Sequence, residues 1–128
     1  MTIDPEDGTG AIALTTFVRA QPGGIVSRTL LKKAAGSVTV FAFDAGQGLS
    51  EHTTPYDALA LVVDGEATIS VSGRTHRVRA GEVVPLPAGQ PHAVGAITPV
   101  TMLLIMIRGE DPTEGAGRTI PVAAPPLG

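Results

Sequence analysis

Short period-two apolar segments, each closed by a glycine turn, constrain this chain more than any other feature. Ala58–Val63 (ALALVV) runs into Asp64-Gly65, Ala67–Val71 (ATISV) into Ser72-Gly73, and Arg74–Val78 into Ala80-Gly81. Alternation puts successive side chains on opposite faces, which marks strands rather than helices. The glycines supply the positive-φ positions that tight hairpin turns require. Ile25–Leu31, Ser37–Phe43, Val83–Leu86, His92–Ile97 and Val100–Ile107 extend the series. In Ser37–Phe43, Val38, Val40 and Ala42 alternate with Thr39, Phe41 and Phe43, which predicts a strand covered on both faces. About nine short strands with turn signals every 8–12 residues predict an antiparallel sandwich or small barrel. Closing a sheet removes its edges, and the mouth of the closed sheet is a natural ligand pocket.

The 128 residues suffice for one domain with one core. The expected layout is an N-terminal arm and short helix over 1–24, a barrel over 25–108 and a Pro/Gly-rich tail over 109–128. The helix is expected over 11–20, with Thr9 or Gly10 near its start, Pro22-Gly23-Gly24 stopping it, and Ile12, Leu14 and Val18 facing the core. Asp44–Gly48 reads as a Gly-rich loop. A hydrophobic fraction of 43% against 16% charged excludes a disordered polyelectrolyte. A net charge of −3 and 3% aromatic residues argue against a nucleic-acid surface. The absence of cysteine removes disulfides, zinc thiolates, iron–sulfur clusters and a thiol nucleophile. No apolar run reaches the roughly 18 residues of a membrane helix. The acidic start, Met1–Gly10, is unlike a signal peptide, so a cytoplasmic location and no membrane partner are expected.

Three histidines carry most of the chemical potential: His52, His76 and His92. His52 follows Gly46-QGLSE, and His92 follows Gly81-EVVPL-Pro87-A-Gly89-QP. The Pro-x-Gly-x-x-His run sets a tight turn and then aims the imidazole from the first residue of a strand. At these positions the chain resembles the cupins, small double-stranded β-helix (jelly-roll) barrels, and in particular their single-domain "conserved barrel" members. The first cupin motif is Gly-x5-His-x-His-x3–4-Glu-x6-Gly, matched here by Gly46, His52 and Gly65. The second is Gly-x5-Pro-x-Gly-x2-His-x3-Asn, matched by Gly81, Pro87, Gly89 and His92. The resemblance implies an all-β barrel, to which residues 11–20 add the short N-terminal helix expected above.

The departures bear on function. In the family, two His and a Glu of the first motif and a His of the second usually hold a divalent metal. Here the second His position is Thr54, the Glu position is Ala58 and the closing Asn position is Ala96. Only His52 and His92 remain as metal candidates, whereas a catalytic metal usually has at least three protein ligands. Asp57 and Glu51 stand next to the relevant positions but have the wrong parity on a regular strand, unless a bulge or turn at Pro55-Tyr56 brings Asp57 inward. The implied cofactor is therefore a weakly held divalent transition metal on a partial two-His site, or none.

Two readings stay open. In one, the barrel binds a small molecule, with His52, Thr54, Tyr56, His92 and Met102 lining its pocket. In the other, it is an enzyme, either metal-dependent or using His52, His92 and Tyr56 for proton transfer in the manner of isomerase or oxygenase cupins. Neither names a reaction, because a fold does not specify one. His76, among Arg74, Arg77 and Arg79, is expected on a solvated face. Glu66 and Glu82 read as turn-flanking carboxylates. The resemblance also implies a homodimer, with Ile25–Leu31 and the tail around Ile120-Pro121-Val122 as interface candidates.

Overall fold

Among the described residues nine strands alternate with the turns that the glycines announce. The computed structural model describes residues 10–109. In chain order the elements are α1 (Leu14–Phe17), β1 (Ile25–Lys33), β2 (Gly36–Phe43), β3 (Gly48–His52), β4 (Asp57–Asp64), β5 (Glu66–Val71), β6 (Arg74–Arg79), β7 (Val83–Leu86), β8 (His92–Ala96) and β9 (Val100–Ile107). They form a five-stranded sheet in the order β1-β2-β9-β4-β7 and a four-stranded sheet in the order β3-β8-β5-β6. Every pairing is antiparallel. This is the antiparallel all-β arrangement expected from the alternation, in the jelly-roll barrel form that the resemblance implies.

The core sits between the two inner faces. Phe43, Ala60, Val62, Val100 and Met102 of the larger sheet meet Ala67, Ile69, Val78, Val94 and Ala96 of the smaller. Phe41 stacks on Phe43 at 5.7 Å between ring centroids. β2 is covered on both sides, as its sequence requires. Phe41 and Phe43 face inward, while Val40 and Ala42 lie under Val18, Leu14 and Phe17 of the N-terminal segment.

Two expectations are corrected. The helix spans four residues rather than 11–20. Ala13 at its start makes no side-chain cap, and Val18 is already extended. A short segment without caps keeps only as much helix as packing supports. The Gly-rich loop ends sooner than expected, because Gly48–His52 is strand β3. Its mixed residues, GLSEH, hide the alternation, since Ser50, Glu51 and His52 are all exposed. The arm over 1–9 and the tail expected beyond Gly109 lie outside the described residues. No helix among the described residues is long and apolar enough to cross a membrane.

Candidate functional site

The two histidines are set by neighbouring strands. In the β3–β8 pair His52 stands opposite His92, and their rings lie 4.4 Å apart between centroids at 72°. Directly opposed residues of an antiparallel pair share a face. His92 also shares its parity with buried Val94 and Ala96, so this face is the barrel interior. His52 reaches it through a bulge. Leu49 opposes Val94 and His52 opposes His92, so β3 carries one residue more than β8 between the two pairs. On a regular strand Leu49 and His52 would point to opposite faces; the extra residue turns both inward.

The loops that deliver the histidines hold each other. The Gly89 N–H donates to the Thr54 carbonyl at 2.8 Å, and the Ala88 N–H donates to Asp57 Oδ1 at 2.9 Å. Gly89 adopts φ of +80°, a conformation costly for any residue with a Cβ, which is why the Pro-x-Gly turn needs glycine there. The Ser72 N–H donates to the Pro91 carbonyl at 2.8 Å and fixes the entry into β8.

Hydrogen bonding orients both imidazoles alike. His52 Nδ1 lies 2.8 Å from the Ser50 carbonyl oxygen, and His92 Nδ1 lies 3.2 Å from that of Gln90. A carbonyl only accepts, so each Nδ1 carries the proton and donates, leaving a lone pair on each Nε2. His92 is 6% exposed. Burial, and then the neighbouring His52, hold its pKa below the ordinary 6.5, opposed by the bond to Gln90. His92 is therefore a neutral base at pH 7, beside a second imidazole at the rim.

The donor set does not fit the family's full metal centre. Ala58 is 8% exposed and offers no donor. The Thr54 hydroxyl is engaged in its own turn, donating to the Tyr56 carbonyl at 3.1 Å and accepting from the Tyr56 N–H at 3.3 Å. The Asp57 carboxylate is exposed and bound to the Ala88 N–H. Among the described residues no third His, Cys, Asp or Glu joins a group able to hold a metal ion.

The other expected pocket residues are dispersed. Met102 is buried in the core, and half-buried Tyr56 lies under the Arg108 guanidinium, 5.2 Å from its ring centroid. A cleft of about 760 Å³ opens instead between β6 and β7, the edge strands of the two sheets. None of His52, Thr54, Tyr56, His92 or Met102 lines it. Val71, which does, pairs with His92 and separates the cleft from the imidazoles. His76 is solvated, as its arginine neighbours suggest, and strand register adds which side it is on. It is exposed, but it pairs with buried Ile69 and alternates with Val78, so it faces the cleft rather than the outer surface. Val78, the one apolar residue of Arg74–Arg79, was the signal that marks its inward side.

Comparison with known proteins places this architecture. The family model described as a cupin domain matches residues 39–108. An uncharacterised protein of Streptomyces coelicolor is 34% identical over 76 residues, which cover 59% of this chain and 72% of that protein. The crystal structure of a conserved Streptococcus pyogenes protein of unknown function superposes with a TM-score of 0.79 at 32% identity, covering 87% of this chain and 95% of that one. A cupin superfamily protein of Desulfitobacterium hafniense gives a TM-score of 0.74 at 24% identity, covering 77% and 91%, a likeness of fold. The motif glycines, the jelly-roll order and these matches agree that the chain belongs to the cupin family.

Proposed function

We infer that this cupin binds a small organic molecule at the open end of its barrel, with His52 and His92 as its polar anchors and at most a two-His metal site. The observation that carries the reading is the ring pair: centroids 4.4 Å apart, each Nδ1 spent on a backbone carbonyl, each Nε2 free. Two such lone pairs beside apolar Val71, Leu49 and Val94 suit a ligand with one polar group and an apolar body. A metal held by these two imidazoles alone is bound weakly.

A second reading, catalysis by proton transfer, is favoured by one observation. The lowered pKa of His92 leaves it ready to accept a proton at neutral pH, with His52 in ring contact. The homodimer and the cytoplasmic setting expected from the sequence stay part of the proposal. For the dimer, the support is an apolar row crossing the outer face of the larger sheet, Leu31–Val38–Ile105–Leu59–Pro85, in which Leu31 and Leu59 are each 37% exposed.

The test combines metal analysis with ligand screening. Protein purified without chelator should carry well under one metal ion per chain. A screen of organic acids, sugars and amides should find compounds that raise Tm of the wild type by mass action but not of a His52→Ala, His92→Ala double variant. One tightly held metal per chain, or equal stabilisation of the double variant, overturns the reading. Turnover of a screened compound that disappears in either single variant selects the catalytic form.

A further inference from the structure

We propose that the cleft between β6 and β7 recognises a small organic monocarboxylate, with Arg74 as the group that holds its carboxylate. The proposal rests on the reading above, that a small molecule enters this barrel, and adds the chemical class of that molecule.

Strand register places Arg74. β6 pairs with β5 so that Arg74 opposes Val71, His76 opposes Ile69 and Val78 opposes Ala67. Ile69, Ala67 and Val78 are buried, so Arg74 and His76 project from the same inner face. They escape burial only because β6 is the last strand of its sheet and faces β7 across open space. In that position the guanidinium stays solvated and open to an anion entering the cleft.

The other charged and polar groups of the cleft are engaged. Arg77 binds Glu66 at 2.6 Å on the outer face. The Glu82 carboxylate accepts the Arg79 backbone N–H at 2.8 Å. The Ser72 hydroxyl donates to Gln90 Oε1 at 2.8 Å. The Arg74 side chain makes no hydrogen bond or ion pair with any described residue, and neither does that of His76. The cleft thus offers one unneutralised guanidinium, one free imidazole and an apolar floor of Val71, Val78 and Val84.

That combination fits an anionic head on an apolar body. A guanidinium fork matches a carboxylate through two parallel N–H···O bonds. Glu82 in the same lining disfavours a phosphate dianion, since one guanidinium must then offset more negative charge. The direction of the body follows from the cross-strand row Arg74–Val71–His92–His52. Adjacent strands lie about 4.8 Å apart, so the backbones of Arg74 and His92 are roughly 10 Å apart. A short chain anchored at Arg74 therefore lies over Val71 and presents its far end toward His92.

The test uses the full chain with hexanoate, hexanamide and hexyl phosphate as probes, followed by amide and methyl NMR shifts. Hexanoate should shift Val71, Val78 and Val84, and hexanamide should bind about tenfold more weakly or worse. Arg74→Gln should lower hexanoate affinity to the hexanamide level, and Arg74→Lys should recover part of it. Equal affinity for hexanoate and hexanamide, or unchanged hexanoate affinity in Arg74→Gln, overturns the carboxylate assignment while leaving the cleft as a binding site. A preference for hexyl phosphate also overturns it. Absence of any shift with all three probes overturns the cleft proposal and leaves the histidine reading to its own screen. The His52→Ala, His92→Ala variant should keep hexanoate shifts at Val78 but bind more weakly than wild type; unchanged affinity would overturn the histidine reading and leave the Arg74 assignment standing.

Discussion

The inner face of the four-stranded sheet has one sealed end and one open end, built from the same strands. At the sealed end Ala96, Ala67 and Val78 face one another across β8, β5 and β6, and all are buried. At the open end the corresponding row is His52, His92, Val71 and Arg74. Between them Val94 and Ile69 are buried while their partner His76 is exposed. Small apolar side chains let the two sheets close at one end. Imidazoles and a guanidinium are larger and polar, and the edge strands part where they stand. Polarity along a strand therefore decides where the barrel is core and where it is site.

The largest expected effect tests the sealed side. Ile69→Ala removes a fully buried side chain and should cost about 2–5 kcal/mol in urea unfolding. Arg74→Ala, on the next strand and the same face, should stay within about 0.5 kcal/mol of wild type. An Arg74 variant as unstable as Ile69→Ala would erase the distinction between the two ends.

A smaller effect sharpens how the imidazoles are held together. A Cβ at Gly48 would collide with the Val94 carbonyl and come within 3.0 Å of the Gly95 Cα, both backbone groups of β8. Gly48→Ala should cost about 1–3 kcal/mol and push β3 away from β8. The loss should appear as weakened ring-to-ring NOEs between His52 and His92. Unchanged NOEs would mean that the loops alone fix the pair.

The smallest effect concerns pH. His92 has a folded pKa below its ordinary 6.5, so on acidification the unfolded chain takes up this proton first. Its contribution is complete above pH 6.5 and is lost as pH falls from there through the folded pKa. Wild-type Tm should consequently drop more steeply than that of His92→Gln below pH 6.5. Parallel curves would show that burial of His92 has no energetic weight at this end of the barrel.

Much of this was written in the sequence, for local reasons. β7 and β9 begin and end where their apolar runs do, at Val83–Leu86 and Val100–Ile107, because turn glycines and prolines punctuate them. The meeting of His52 and His92 was legible from motif spacing. β3 was hidden because GLSEH ends in three exposed residues and carries an irregular register, so no alternation survives. The cleft was hidden for a different reason. It arises where β6 and β7 are the outer strands of two sheets, and strand order is a long-range property that no window of sequence contains. His76 was read as solvated, which it is, but its place beside a cleft was hidden with the cleft, because exposure at an edge looks like exposure on a face.

The bulge in β3 has a consequence for how this chain can change. Removing one residue between Leu49 and His52 would restore even pleating and keep the hairpins, the core and the turn glycines. The imidazole would stay on the inner face opposite His92, because residues two apart on a regular strand point the same way. The pairing of the two rings can therefore survive a change of chain length in β3 that would invert a regular strand, since the bulge closes or forms to absorb it.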